Sequence, residues 1–220
     1  MKESVRIRIQ YYGGLISRLL FGFSVHGAER VPRKGGVIIV CNHISEMDPP
    51  VLGFAIPRPI AFMAKNELFK NKFGNFLLKK LNTFPVNRTG VDTNAIRSAV
   101  DYLKNGIAVV VFPEGTRSRD GRLLPGKAGI SLIASASRAP VLPAFISGTD
   151  HPGKAMSRTG NPFSIHFGKL IPSSRIMIIR KKYGAKAVAE KVMSAIAETG
   201  INANLYAYES NNIDQMKGTK

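Results

Sequence analysis

Apolar residues in this chain cluster into short runs, separated by segments in which they recur every three or four positions. Val37-Ile38-Ile39-Val40, entered through Gly35-Gly36, is unbroken, the pattern of a strand covered on both faces. Ile107 to Phe112 and Val141 to Ser147 read the same way. Pro59 to Ala64 and Thr83-Phe84-Pro85-Val86 are shorter strand candidates, and Phe163 to Phe167 alternates. Pro85 cannot donate to a ladder and suits a sheet edge. Helical spacing marks 67–81 (Leu68, Phe69, Phe73, Phe76, Leu77, Leu81), 91–104, 126–137 and 184–199 (Val188, Val192, Ile196). The helix over 91–104 is opened by Asp92 or Thr93 and closed by Asn105-Gly106, and a further helix is expected to start near Pro50. The alternation predicts an α/β fold: a mostly parallel central sheet flanked by helices.

The ends differ from this middle. Over residues 4–23, Val5, Ile9, Tyr12, Ile16, Leu19, Leu20 and Phe23 share one helical stripe while Arg6, Arg8, Gln10 and Ser17 fall elsewhere. This is an N-terminal amphipathic helix, weakened by Gly13-Gly14. Two readings stay open: a helix lying on an anionic membrane and one packed on its own core. Residues 148–162, rich in Gly, Pro and basic side chains, are expected to form a mobile loop. The polar last twenty residues lack a core pattern. The organisation is therefore an N-terminal helix over 1–24, one α/β domain over 25–200 and a tail over 201–220, without repeats.

Charge narrows the partner. Lys and Arg number 32 against 14 Asp and Glu, a net +18, which calls for an anionic partner. Nucleic acid is disfavoured, because there is no Trp, no aromatic RNA-binding signature and no recognition helix. No stretch approaches the ~20 apolar residues of a spanning helix, and arginines interrupt the start where a secretory signal would stand. The expected location is peripheral or monotopic, on the cytoplasmic face of the cell membrane. With one cysteine and four scattered histidines, no metal site is expected. Cys41, closing an apolar strand, reads as a small hydrophobe rather than a nucleophile.

Chemistry enters at Asn42-His43-Ile44-Ser45-Glu46-Met47-Asp48-Pro49. Histidine titrates near neutral pH, and a carboxylate on one ring nitrogen fixes the tautomer and makes the other nitrogen a base. Five residues on one helix rotate by about 140°, so His43 and Asp48 meet only if the chain turns between them. Pro49-Pro50 favours such a turn.

A second candidate follows the strand ending at Phe112. In Pro113-Glu114-Gly115-Thr116-Arg117-Ser118 the glycine permits close backbone approach, Thr116 and Ser118 offer hydroxyls, and Arg117 offers a fork suited to phosphate. Arg88, in Phe84-Pro85-Val86-Asn87-Arg88, stands at another strand end.

In order along the chain, these segments resemble the four blocks of the glycerolipid acyltransferase family, specifically its 1-acylglycerol-3-phosphate acyltransferases. Asn42-His43 with Asp48 resembles the first block, Phe84 to Arg88 the second, Phe112 to Ser118 the third and Val141-Leu142-Pro143-Ala144 the fourth. The likeness spans roughly 25–170. Some bacterial relatives carry a longer hydrophobic N-terminal helical pair, of which only a short version stands here. The resemblance implies that His43 and Asp48 are catalytic, with direct acyl transfer to the free hydroxyl of lysophosphatidic acid and no acyl-enzyme. It implies that Lys65, Arg88, Glu114, Gly115, Thr116 and Arg117 bind substrate, the cations holding the acceptor phosphate. Glu114 has three open roles: orienting Arg117, bonding a glycerol oxygen, or a structural salt bridge. Backbone amides near Gly115 or after Pro49 are candidate oxyanion donors; the Val141 block reads first as core packing and second as an acyl-pocket wall. No cofactor is implied beyond the co-substrate, acyl-CoA or acyl carrier protein. The implied partners are lysophosphatidic acid, that carrier protein and an anionic membrane. Rival readings are an acceptor such as glycerol 3-phosphate or a lyso-aminolipid, and a non-catalytic protein binding anionic lipid or nucleic acid.

Overall fold

The computed structural model describes residues 12–16, 18–70, 82–87, 90, 92–157 and 162–205. Seven strands form one sheet: β1 (Ser24–His26), β2 (Ile38–Cys41), β3 (Ile60–Lys65), β4 (Thr83–Val86), β5 (Ala108–Val111), β6 (Val141–Ser147) and β7 (Ser164–Phe167), in the order β1-β7-β6-β2-β5-β3-β4. β6 and β7 pair antiparallel and the other neighbours pair parallel, so the expected mostly parallel sheet is present. The expected strands fall within a residue or two of the observed ones. β4 lies at the sheet edge, where Pro85 needs no ladder donor.

The helices are α1 (12–16 and 18–21), α2 (Asp48–Ala55), α3 (Thr93–Lys104), α4 (Gly129–Ser137), α5 (Pro152–Met156) and α6 (Ser173–Asn202). Alternation on the strands divides the core in two. Ile38, Val40, Val109 and Val111 face α3, α4 and α6 through Ala99, Leu103, Ile130, Ile133, Val188, Val192 and Ile196. Ile39, Cys41, Val110 and Leu142 face Val51 and Leu52 of α2 with Phe23 and Phe163. Burial on both faces is why these strands read as unbroken apolar runs. At the base, the Arg58 guanidinium donates to the carbonyls of Pro32, Gly35 and Gly106, tying three connections together.

Several expectations need correction. α4 starts at Gly129, not 126, because the Lys127 N–H donates to the Pro113 carbonyl at 2.8 Å and holds the chain out of the helix. α6 begins at Ser173, well before 184, and Gly184 (φ +85°) breaks it into two helical halves. The stretch 148–162 is not wholly loop, since it contains α5. Of the helix expected over 67–81, the described part is a 3-10 turn, Asn66–Phe69, and 71–81 lie outside the described residues. Gly13 has a packing reason: a Cβ there would stand 2.3 Å from the ring of Phe54 in α2.

Candidate active site

Strands β2 and β5 end together, and their following loops build the site at the carboxyl edge of the sheet, the usual ligand side of a parallel α/β fold. Beyond Cys41, the Asn42 side chain continues the ladder: Oδ1 accepts from the Ile146 N–H at 2.8 Å and Nδ2 donates to the Ile146 carbonyl at 2.9 Å. His43 follows and is held through its backbone by the third block. Its N–H donates to Glu114 Oε1 at 3.0 Å, and its carbonyl accepts from the Ser118 N–H at 2.8 Å. The ring stacks on Phe112, centroids 4.1 Å apart.

The turn expected between His43 and Asp48 exists, and α2 begins at Asp48. Asp48 Oδ2 lies 2.8 Å from His43 Nδ1 and also accepts from the Ile44 and Ser45 N–H groups, both at 2.8 Å. Oδ1 accepts from the Thr149 hydroxyl. Asp48 is fully buried and His43 is 7% exposed. Two backbone donors on the same oxygen favour an ionised carboxylate, so His43 carries its proton on Nδ1 and presents Nε2 as the base.

His43 stands at one wall of an apolar groove of about 280 Å³. Its other walls come from β3, β4 and β5 (Met63, Val86, Val110) and from α3 and α4 (Ala95, Ile96, Ile133). Lys127 also lines it. Its side chain lies over Gly115, whose Cβ would meet the Lys127 Nζ at 2.9 Å. With φ +69° besides, that position favours glycine on two counts.

The other expected binding residues scatter around this centre. Lys65 is exposed at the end of β3, opposite Val86 in register. Thr116 is exposed, and no hydrogen bond to it is found among the described residues. Arg117, half exposed, pairs with Glu46 at 3.0 Å. Arg88 lies outside the described residues.

Glu114 neither orients Arg117 nor forms a salt bridge among the described residues: one oxygen accepts from His43 and the other from the Leu124 N–H at 2.9 Å. Burial pushes its carboxyl up to about 7 despite those two bonds. Of the candidate oxyanion amides, that of Gly115 is taken by the Phe112 carbonyl and that of Val51 by the Met47 carbonyl. The Val141 block is a core strand, the stronger of its two readings, with Val141, Leu142 and Ala144 fully buried. The free thiol of Cys41 is buried, and desolvation raises its pKa well above the usual thiol value; it is inert packing, as expected.

Sequence reasoning missed Thr149 and Lys127. Thr149 sits just past the carboxyl end of β6, the only signal it offered. Lys127 is one of 32 cations, and nothing local marks it. Among the described residues no cluster of His, Cys, Asp and Glu suits a metal.

Known proteins resemble this chain over more than half of its length. The acyltransferase family matches residues 22–147. A 1-acyl-sn-glycerol-3-phosphate acyltransferase of Bacillus subtilis is 37% identical over 147 residues, 66% of this chain and 72% of the relative. One of Borreliella burgdorferi is 32% identical over 129 residues, 58% of this chain and only 52% of that relative's length. The crystal structure of the 1-acyl-sn-glycerophosphate (LPA) acyltransferase PlsC from Thermotoga maritima superposes with a TM-score of 0.71 at 29% identity, covering 93% of this chain and 82% of that one.

Proposed function

The chain belongs to the acyltransferase family, and on that footing we propose that it acylates the free hydroxyl of 1-acylglycerol 3-phosphate to give phosphatidic acid. The observation that carries the reading is the buried His43–Asp48 contact at 2.8 Å, with His43 lining an apolar groove. Nε2 takes the proton of the acceptor hydroxyl as its oxygen attacks the thioester carbonyl. The C–O bond forms, the C–S bond breaks, and the imidazolium returns the proton to the departing thiolate. Asp48 stays ionised throughout and stabilises the imidazolium, as a triad carboxylate does. No protein nucleophile is required.

The groove takes an acyl chain, each buried methylene contributing ~0.8 kcal/mol. Arg117 and Lys127, with Lys65 and Arg88, hold the acceptor phosphate as the charge complement of a dianion. Glu114 serves this reaction by fixing the backbone of His43 rather than by touching substrate. The donor is acyl-CoA or an acyl carrier protein, both anionic and both suited to a chain of net charge +18.

The protein works at an anionic membrane surface. Tyr12, Leu15, Ile16, Leu19 and Leu20 of α1 are all exposed, Leu19 at 70%, beside the exposed Arg18. Such an apolar face with flanking cation lies in the headgroup region. Among the described residues no helix is long and apolar enough to cross a membrane. The cytoplasmic leaflet, where anionic lipid and thioester donors meet, is the proposed location.

A panel of acceptors with labelled acyl-CoA tests the substrate. Lysophosphatidic acid is expected to yield phosphatidic acid, with glycerol 3-phosphate and a lyso-aminolipid left unreacted. Acylation of either alternative without phosphatidic acid would overturn the assignment.

A further inference from the structure

A second cleft, of about 450 Å³, shares no lining residue with the groove at His43. It lies where the last turns of α6 overhang the antiparallel edge of the sheet. His26 of β1 and His166 of β7 stand opposite each other in register and stack, centroids 4.3 Å apart and planes 16° apart. His166 Nε2 is 2.8 Å from Ser164 Oγ, and its Nδ1 has no protein partner among the described residues. Arg30 is braced by its bond to the Phe167 carbonyl at 2.8 Å. Lys169 follows β7, and Lys191 reaches in from α6.

The charges facing the cleft are unequal. Arg30, Lys169, Lys191 and two imidazoles confront Glu198, while Glu29 lies 3.7 Å from Arg30 on the outer side. These groups come from three stretches of chain, 26–30, 166–169 and residue 191 of α6, which the fold brings together. Burial first, then the neighbouring His26, lowers the pKa of His166. Two stacked imidazoles repel once both are charged, and a multivalent anion in the cleft reverses that cost. A monocarboxylate would neutralise too little of this set. The volume exceeds one phosphate and leaves room for an ester substituent, against Leu170 and Ala203 of the lining.

We propose that this cleft is a binding site for a phosphate monoester, its oxygens held by Arg30, Lys169 and Lys191 and by the paired imidazoles of His26 and His166. The phosphate belongs either to a small soluble ester or to a phospholipid headgroup, and the shared chemistry is the dianion. The site is independent of the acyl-transfer reading.

Imidazole proton resonances of the full chain, assigned with His26→Asn and His166→Asn, test it. The chain is titrated at fixed ionic strength with inorganic phosphate, with glycerol 3-phosphate, and with vesicles of phosphatidylcholine with or without phosphatidic acid. Saturable shifts at His26 and His166, with His151 unmoved, are expected. Binding of glycerol 3-phosphate should move the titration midpoints of both imidazoles upward, because binding and imidazole protonation are linked. Lys191→Ala should weaken it by roughly 10- to 100-fold, the scale of a charge-assisted contact. Saturation by glycerol 3-phosphate identifies a soluble ester, and a response confined to phosphatidic acid vesicles identifies a lipid headgroup. Shifts that chloride reproduces, or that Lys191→Ala leaves intact, would overturn the proposal.

Discussion

The buried centre and the cationic rim of the candidate active site are built on opposite principles. Around Asp48 both carboxylate oxygens are engaged, by His43, two backbone N–H groups and Thr149. His43 is fixed through its ring, its N–H and its carbonyl. Lys65, Thr116 and Arg117, by contrast, are exposed, and the one ion pair they make among the described residues ties Arg117 to an exposed Glu46. The chemical step needs a base of fixed tautomer and direction, and burial supplies it. Recognition of a mobile lipid headgroup needs charge within reach, and long exposed side chains supply that at little desolvation cost.

That contrast orders the expected effects. His43→Ala should cut turnover by about 10³- to 10⁴-fold, the upper part of the range for loss of a general base, while binding to anionic vesicles is unchanged in a sedimentation assay. A similar residual rate in the variant would remove the centre from the chemistry. Asp48→Asn should cost about 10³-fold or more in kcat, by favouring the wrong tautomer. Thr149→Val, which takes one hydrogen bond from the same carboxylate, should cost about tenfold. A Thr149 variant as damaged as the Asp48 variant would mean that the hydroxyl does more than orient. At the rim, Arg117→Ala should lower kcat/KM for lysophosphatidic acid by roughly 10- to 100-fold, mainly through KM, as expected for uniform binding. A fall in kcat alone would put Arg117 with the centre.

The smallest effect concerns stability. The Glu114 carboxyl titrates near 7 in the folded protein against an ordinary 4.5, so the folded state keeps that proton over a window in which the unfolded chain has lost it. Its contribution is complete below about pH 4.5 and disappears as the pH rises to about 7, up to about 3 kcal/mol at ~1.36 kcal/mol per unit. Urea denaturation at pH 4.5 and pH 8 should show wild type losing more stability over that interval than Glu114→Gln. Parallel pH dependence in the two proteins would show that burial does not perturb the group.

Legibility in the sequence follows the same division. Strands covered on both faces, such as β2 and β5, announce themselves as apolar runs. The cap of α3 is local too, Asp92 accepting from the Ala95 N–H at 3.0 Å. The His43–Asp48 contact was legible because five residues and a proline confine it. Thr149 was not, since its bond to Asp48 spans 101 positions and depends on β6 ending beside β2. Nor was the role of Glu114, whose burial exists only after two distant loops meet. The first half of α6 escaped because its pattern is mixed: Ile176 is fully buried while Ile178 is 58% exposed.

Direct attack by the acceptor hydroxyl is the central claim, and intact-mass spectrometry tests it most directly. Incubated with long-chain acyl-CoA and no lysophosphatidic acid, the protein should keep its unmodified mass, and adding the acceptor should convert donor to phosphatidic acid at once. An acyl adduct that forms without acceptor and then chases into product would contradict it.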